Sequence, residues 1–183
     1  STSNGMDIVY IDCYPLDITS SYPAEAIYTL AHEYEHLLHY NSDPNEANGN
    51  PWMDEGLADL APSILGLGHR NYGYFLANTS IGLDEWDYQN SLPYYSKSAL
   101  FLQYVYENDN LGLPFIKQIF DDSVYNRLRS IKFWFPDNLI FDQFFDQWII
   151  DTILDQYPIS ECISGISPQE IITLQLEEEL IIS

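Results

Sequence analysis

The sequence predicts a mainly α chain of the α+β class, on three observations. Apolar residues recur at helical spacing in several separate segments. One short apolar run near the start, 7–13, reads as a clear strand. No repeats or low-complexity linkers interrupt the pattern. With 183 residues, 46% of them hydrophobic and 15% aromatic, the chain is long enough to bury a core as one compact unit.

The elements follow in order. DIVYIDC (7–13) is rich in β-branched and aromatic residues and reads as the strand. Residues 14–22 hold Pro15 and a serine pair, which suits a loop. Pro23 is a plausible first helical residue, with Ser20 or Ser21 nearby as a cap. From there to about Tyr40, Ala26, Ile27, Leu30, Ala31, Tyr34, Leu37 and Leu38 recur at helical spacing. Residues 41–51 form a polar, turn-rich connection. A second helix is expected from Trp52 to about Ala61, ended or kinked by Pro62, with Gly66 and Gly68 marking a break.

Beyond that break the chain is expected to be mostly helical. A short helix is expected within 71–77, followed by a loop carrying Trp86. Further helices are expected over 94–106, over 114–120 behind Pro114, within 121–132, and over 139–154. The aromatic groups Phe133, Trp134, Phe135 and Phe144, Phe145, Trp148 are expected to form the core of this second lobe. The tail 167–183 reads two ways: Ser167 to Glu170 looks like a capping box, while 172–176 alternates like a strand. The expected organisation is one unit of two lobes, 1–68 and 69–183.

Charge narrows the partners. Asp and Glu total 28 against 6 Lys and Arg, a formal charge of −22. Such a surface repels phosphate backbones, so nucleic acid is excluded as an expected partner. Polybasic patches for anionic membranes are absent, and no apolar run approaches bilayer length. The opening residues lack the basic start and apolar middle of a signal peptide. Because the chain opens on Ser1, removal of an upstream piece is expected. Cys13 and Cys162 lie near opposite ends and form no CxxC motif, and the spacing leaves their pairing open.

The chemistry concentrates at His32-Glu33-Tyr34-Glu35-His36, an HExxH motif inside the first helix. Residues four apart share a helical face, so both imidazoles can reach one ion. Glu33 projects beside that face, where a carboxylate can polarise a metal-bound water. A tetrahedral catalytic Zn2+ needs a third protein ligand and an open position. Glu55 is favoured, nineteen residues after His36 on a helix that a short loop would return beside the first. His39 shares the face of His32 and His36, but three ligands on one straight helix converge poorly, so a packed or hydrogen-bonded role is expected for it. His69, on a loop, is the third candidate.

HExxH followed by W-x-x-E-G-L-x-x-x-A resembles the gluzincin group of zinc metallopeptidases. LAHEYEHLLHY (30–40) with WMDEGLADLA (52–61) is most similar to the hyicolysin-type secreted bacterial peptidases. The resemblance implies a zincin-like catalytic domain with a small or truncated sheet and an extracellular or cell-surface location. It implies Zn2+ held by His32, His36 and Glu55, with Glu33 as general base assisting attack by a zinc-bound water. Asp59 matches an Asp that orients a zinc-bound His in thermolysin-like gluzincins. YSKSALFL (95–102) is similar to the segment that supplies a catalytic Tyr in aminopeptidase-type members, which points to Tyr95 as oxyanion stabiliser, with Tyr94 as runner-up. Metzincins are disfavoured, because their motif would place Gly at position 39 and His at position 42, here His39 and Ser42.

The expected function is therefore a zinc endopeptidase acting on a peptide or protein, with basic sequences favoured by long-range attraction. An extended substrate would pair with the edge of the 7–13 strand. The alternatives are an aminopeptidase, although no Gly-rich exopeptidase motif precedes the metal helix, and a catalytically silent zincin-fold binding or adhesion module. Retention of Glu33, which structure alone does not need, speaks against the silent module.

Overall fold

The computed structural model describes residues 8–9, 23–44, 51–126 and 128–153. The helices run in the order α1 (Pro23–Ser42), α2 (Pro51–Ile64), α3 (Gly73–Leu76), α4 (Leu92–Glu107), α5 (Gly112–Phe120), α6 (Leu128–Trp134) and α7 (Phe141–Ile153). The chain is thus mainly helical, and no strand occurs among the described residues. The strand expected over 7–13 lies outside them apart from Ile8 and Val9, which belong to neither helix nor strand. Cys13, Cys162 and the tail also lie outside the described residues.

α1 packs against α2, and α2 in turn packs against α4. α1 faces inward with an unexpected set of side chains. His32, Glu35 and His39 are buried, whereas Ile27, Leu30, Tyr34 and Leu38 are 44–51% exposed. Of the apolar stripe read from the sequence, Ala26 is buried, Ala31 and Leu37 are half-buried and the larger side chains lie outward, because the polar face is the one applied to α2.

α2 is buried on nearly all sides: Trp52, Met53, Gly56, Leu57, Ala58, Asp59, Leu60 and Pro62 are all inside. Gly56 sets its distance from α4. A Cβ there would stand 2.8 Å from Leu102 Cδ1, closer than real Cβ atoms come, and 3.1 Å from Ser98 Cβ, tighter than most. Pro62 does not end this helix, which continues to Ile64. Pro62 removes only one amide donor, and it does so in the last turn, where Leu65 N–H still bonds Ala61 O at 3.1 Å and Leu67 N–H bonds Pro62 O at 2.9 Å. The break follows at Gly66 and Gly68, whose φ values of +70° and +112° favour glycine.

The core joins Trp52, Met53, Leu57 and Leu60 of α2 to Phe75 of α3, the α4 run Ala99–Leu102, and Trp148 of α7. Trp148 stacks on Phe75 (5.9 Å) and meets Phe101 edge-on (5.0 Å). Two aromatics expected in this core are outside it: Phe133 is 54% exposed and Trp134 38%. α6 is barely two turns long and buries only Ser130 and Ile131, so it cannot turn three consecutive aromatics inward. Trp134 instead donates its indole N–H to Asp122 Oδ2 at 2.9 Å.

Candidate metal centre

Three side chains from α1 and α2 converge on one point. His32 Nε2 and His36 Nε2 are 3.2 Å apart, and Glu55 Oε2 is 3.3 Å from the first and 3.4 Å from the second. A tetrahedral ion with bonds of about 2.0–2.1 Å separates its ligand atoms by about 3.3–3.4 Å, which is 1.63 times the bond length. The triangle therefore has the edge lengths of zinc ligation. Glu55 Oε2 is buried and turned toward the two imidazole nitrogens, where a cation would take the place of the protons they share with it. The donor set of two imidazoles and one carboxylate also suits zinc.

Each imidazole is steered by a carboxylate on its other nitrogen. His32 Nδ1 donates to Asp59 Oδ1 at 2.9 Å, and His36 Nδ1 lies 3.2 Å from Asp54 Oδ2. Such partners fix the tautomer that points Nε2 at a metal. Asp59 is fully buried and is held by Arg70, whose Nε and terminal nitrogen both donate to it, the latter at 2.7 Å. The Tyr28 hydroxyl approaches Asp59 Oδ1 at 3.4 Å.

The electrostatics follow from this crowding of acceptors. Burial opposes charge on His32, yet hydrogen bonds to Asp59 and Glu55 raise it to about 9. Burial likewise opposes charge on His36, and Asp54 and Glu55 raise it to about 11. Burial pushes Glu55 up, but the two imidazoles outweigh this and hold it at about 2. The cluster thus favours a positive charge between the imidazoles and Glu55, whether protons or a cation carry it.

Tyr95, at the start of α4, donates its hydroxyl to Glu55 Oε1 at 3.0 Å. Burial, then the Glu55 charge, push the phenol up, so it remains a protonated donor. Arg70 lies 4.6 Å over its ring, and Trp86 meets that ring edge-on at 4.9 Å. Tyr94 instead faces Lys97, whose Nζ is 5.0 Å from the ring. The structure therefore brings Tyr95, rather than Tyr94, to the His32–His36–Glu55 cluster. Glu33 is exposed on α1, beside His32.

His39 is fully buried. It donates from Nδ1 to Asp54 Oδ1 at 3.0 Å and stacks on Phe120, with centroids 5.2 Å apart. His69 is not among the side chains that converge with His32, His36 and Glu55, and it shares a hydrogen bond with Ser63 Oγ at 2.9 Å. With Glu25, Tyr28, Thr29, Leu67, Arg70 and Asn71 it lines a cleft of about 420 Å3 next to the Asp59–Arg70 pair.

Sequence reasoning missed Asp54, Arg70 and Tyr28. Asp54 precedes the favoured Glu55, so a helix turned to bring Glu55 inward had to place its neighbour close by. Arg70 is one of 6 cationic residues in a chain with 28 acidic ones, and its scarcity was a usable signal. Tyr28 lies four residues before His32 and shares its face, which was also legible.

Comparison with known proteins finds the chain 30% identical, over 135 residues, to the neutral metalloprotease ShpI of Staphylococcus hyicus. The match covers 66% of this chain and 31% of that protein, so the chain spans about a third of its relative's length. No family model and no solved structure matches the chain. The likeness relates the chain to a metalloprotease and so to a metal, for which His32, His36 and Glu55 are a ready group.

Proposed function

We propose that this chain is the catalytic unit of a gluzincin-type zinc endopeptidase, built from the lobes 1–68 and 69–183. The observation that carries this reading is the triangle of His32 Nε2, His36 Nε2 and Glu55 Oε2, with edges of 3.2–3.4 Å. Zinc held there would supply Lewis acidity, lowering the pKa of water and stabilising charge that develops on a carbonyl oxygen.

The chain's own residues have separable tasks. Glu33 takes a proton from the attacking water and returns it to the leaving amine. Tyr95 offers its hydroxyl as a neutral donor to the developing oxyanion, within reach of the Glu55 position it now bonds. Asp59 and Asp54 hold His32 and His36 in the ligating tautomer, and Arg70 keeps Asp59 in place. The cleft lined by Thr29, His69 and Arg70 lies beside this machinery and gives a substrate side chain somewhere to sit. The charge of −22 favours cationic peptides. An extracellular or cell-surface location is part of the same reading.

Cleavage of a random peptide pool, with product sequencing and with and without chelator, tests it. Internal cleavage that chelator abolishes is expected, with Lys/Arg-rich peptides cut faster at low salt than at high salt. Glu33→Gln should retain zinc and lose hydrolysis. Hydrolysis unaffected by chelator would overturn the reading. Trimming from the amino terminus would move it to an aminopeptidase, and zinc binding without cleavage to a silent binding module.

A further inference from the structure

α1 carries two ligand pairs at the same spacing, one register step apart. His32 and His36 are four residues apart, and so are Glu35 and His39. α2 meets each pair with one of two adjacent carboxylates: Glu55 closes the first and Asp54 the second. The ligand atoms of Glu35, His39 and Asp54 all lie within 4.8 Å of one another. We propose that Glu35, His39 and Asp54 form a second divalent-cation site beside the His32–His36–Glu55 cluster.

Glu35 is the observation that separates this group from an ordinary acidic patch. Its side chain is only 8% exposed, yet neither carboxylate oxygen has a hydrogen-bond partner. Its nearest ionic contact given by the geometry is His36 Nδ1, at 3.9 Å from Oε2. A buried carboxylate without hydrogen bonds is costly unless a cation compensates it. Asp54 Oδ1 and His39 Nδ1, 3.0 Å apart, face the same space, and Phe120 covers the His39 ring.

The donor set differs from that of the first cluster: two carboxylates and one imidazole, against two imidazoles and one carboxylate. An oxygen-rich donor set with one nitrogen suits an ion that favours carboxylate ligands, such as Mn2+. Asp54 joins the two sites, since its Oδ2 faces His36 Nδ1 while its Oδ1 faces His39. This inference stands on the second cluster and does not require that the first be catalytic.

The test is a sequential metal titration of the full chain, stripped with chelator, in a high-salt buffer free of Mg2+ and Ca2+ to suppress surface binding. One equivalent of Zn2+ is added first, then Mn2+, followed by electron paramagnetic resonance of free and bound Mn2+ and by elemental analysis. One zinc and one manganese per chain are expected. Glu35→Gln, similar in shape, should keep the zinc and lose the manganese, while Glu55→Gln should weaken zinc and leave manganese bound. A wild-type chain that holds zinc but no manganese overturns the inference and means that Glu35 carries a proton instead. Manganese retained by Glu35→Gln also overturns it. A chain that binds no zinc refutes the proposed function and leaves the manganese result to decide the second site by itself.

Discussion

His32 and Asp59 meet at 2.9 Å, Nδ1 to Oδ1, across the α1–α2 interface. This contact makes a buried acid part of the proposed metal site rather than a fold defect. Asp59 is compensated on one side by Arg70 and on the other by an imidazole that it aims. Asp59→Asn keeps the side-chain volume but lets the amide choose the wrong partner. Zinc affinity is expected to fall about 10–100-fold, measured by competition with a chromogenic chelator. Unchanged affinity would reduce Asp59 to a partner of Arg70 alone.

Tyr95 donates to Glu55 Oε1, so its hydroxyl could serve the ligand or the reaction. Tyr95→Phe separates the two. On the proposed mechanism kcat falls roughly a hundredfold, KM changes little and zinc affinity is kept. A loss of zinc affinity with kcat preserved at saturating zinc would make Tyr95 a support for Glu55 instead.

Gly56 sits next to Glu55, where α2 packs tightly against Ser98 and Leu102 of α4. Gly56→Ala gains up to about 1 kcal/mol in helix propensity but forces Leu102 and Ser98 aside, at a cost of about 1–3 kcal/mol. A net loss of about 1 kcal/mol is expected in urea unfolding. Activity is expected to drop further than stability, because widening α2 from α4 pulls Tyr95 from Glu55. Wild-type stability together with full activity would show that α4 yields at no cost.

Lys97 is fully buried, with its ammonium donating to Gly82 O at 2.9 Å and Glu85 O at 2.7 Å. These bonds pin the loop that carries Trp86 against Tyr95. Burial lowers Lys97 from 10.5 to about 8, outweighing the nearby charges of Glu85 and Asp84. Between about pH 8 and 10.5 the unfolded chain therefore holds a proton that the folded chain has released. More protons on the unfolded state mean that stability rises with pH across this window. Wild type is thus expected to gain stability relative to Lys97→Met from pH 8 to pH 10, followed by urea unfolding. Parallel pH profiles for the two proteins would remove Lys97 as the source.

Much of the helical framework was legible, for local reasons. Pro23 opens α1, and Gly66 and Gly68 follow α2, because backbone constraints act wherever these residues stand. Pro62 does not end α2 because its cost is one hydrogen bond in the last turn, and the helix runs on to Ile64. The orientation of α1 was not legible either. Its apolar stripe and its ligand face are both periodic, and periodicity alone does not say which one meets α2.

The sequence by itself determined that His32 and His36 share a face and can reach one point, since a helical turn fixes that spacing without help from the rest of the chain. Only the tertiary structure decided what joins them. Glu55, rather than His39 or His69, stands at 3.3–3.4 Å from both imidazoles. Asp59 and Asp54 divide the two outer nitrogens, Arg70 holds Asp59, and Tyr95 rather than Tyr94 reaches Glu55. These partners lie 11–40 residues apart and come from different helices and the loop at Arg70. Their meeting depends on how closely and at what rotation α1, α2 and α4 pack, which Gly56 and the buried polar face of α1 set through contacts that no local spacing encodes.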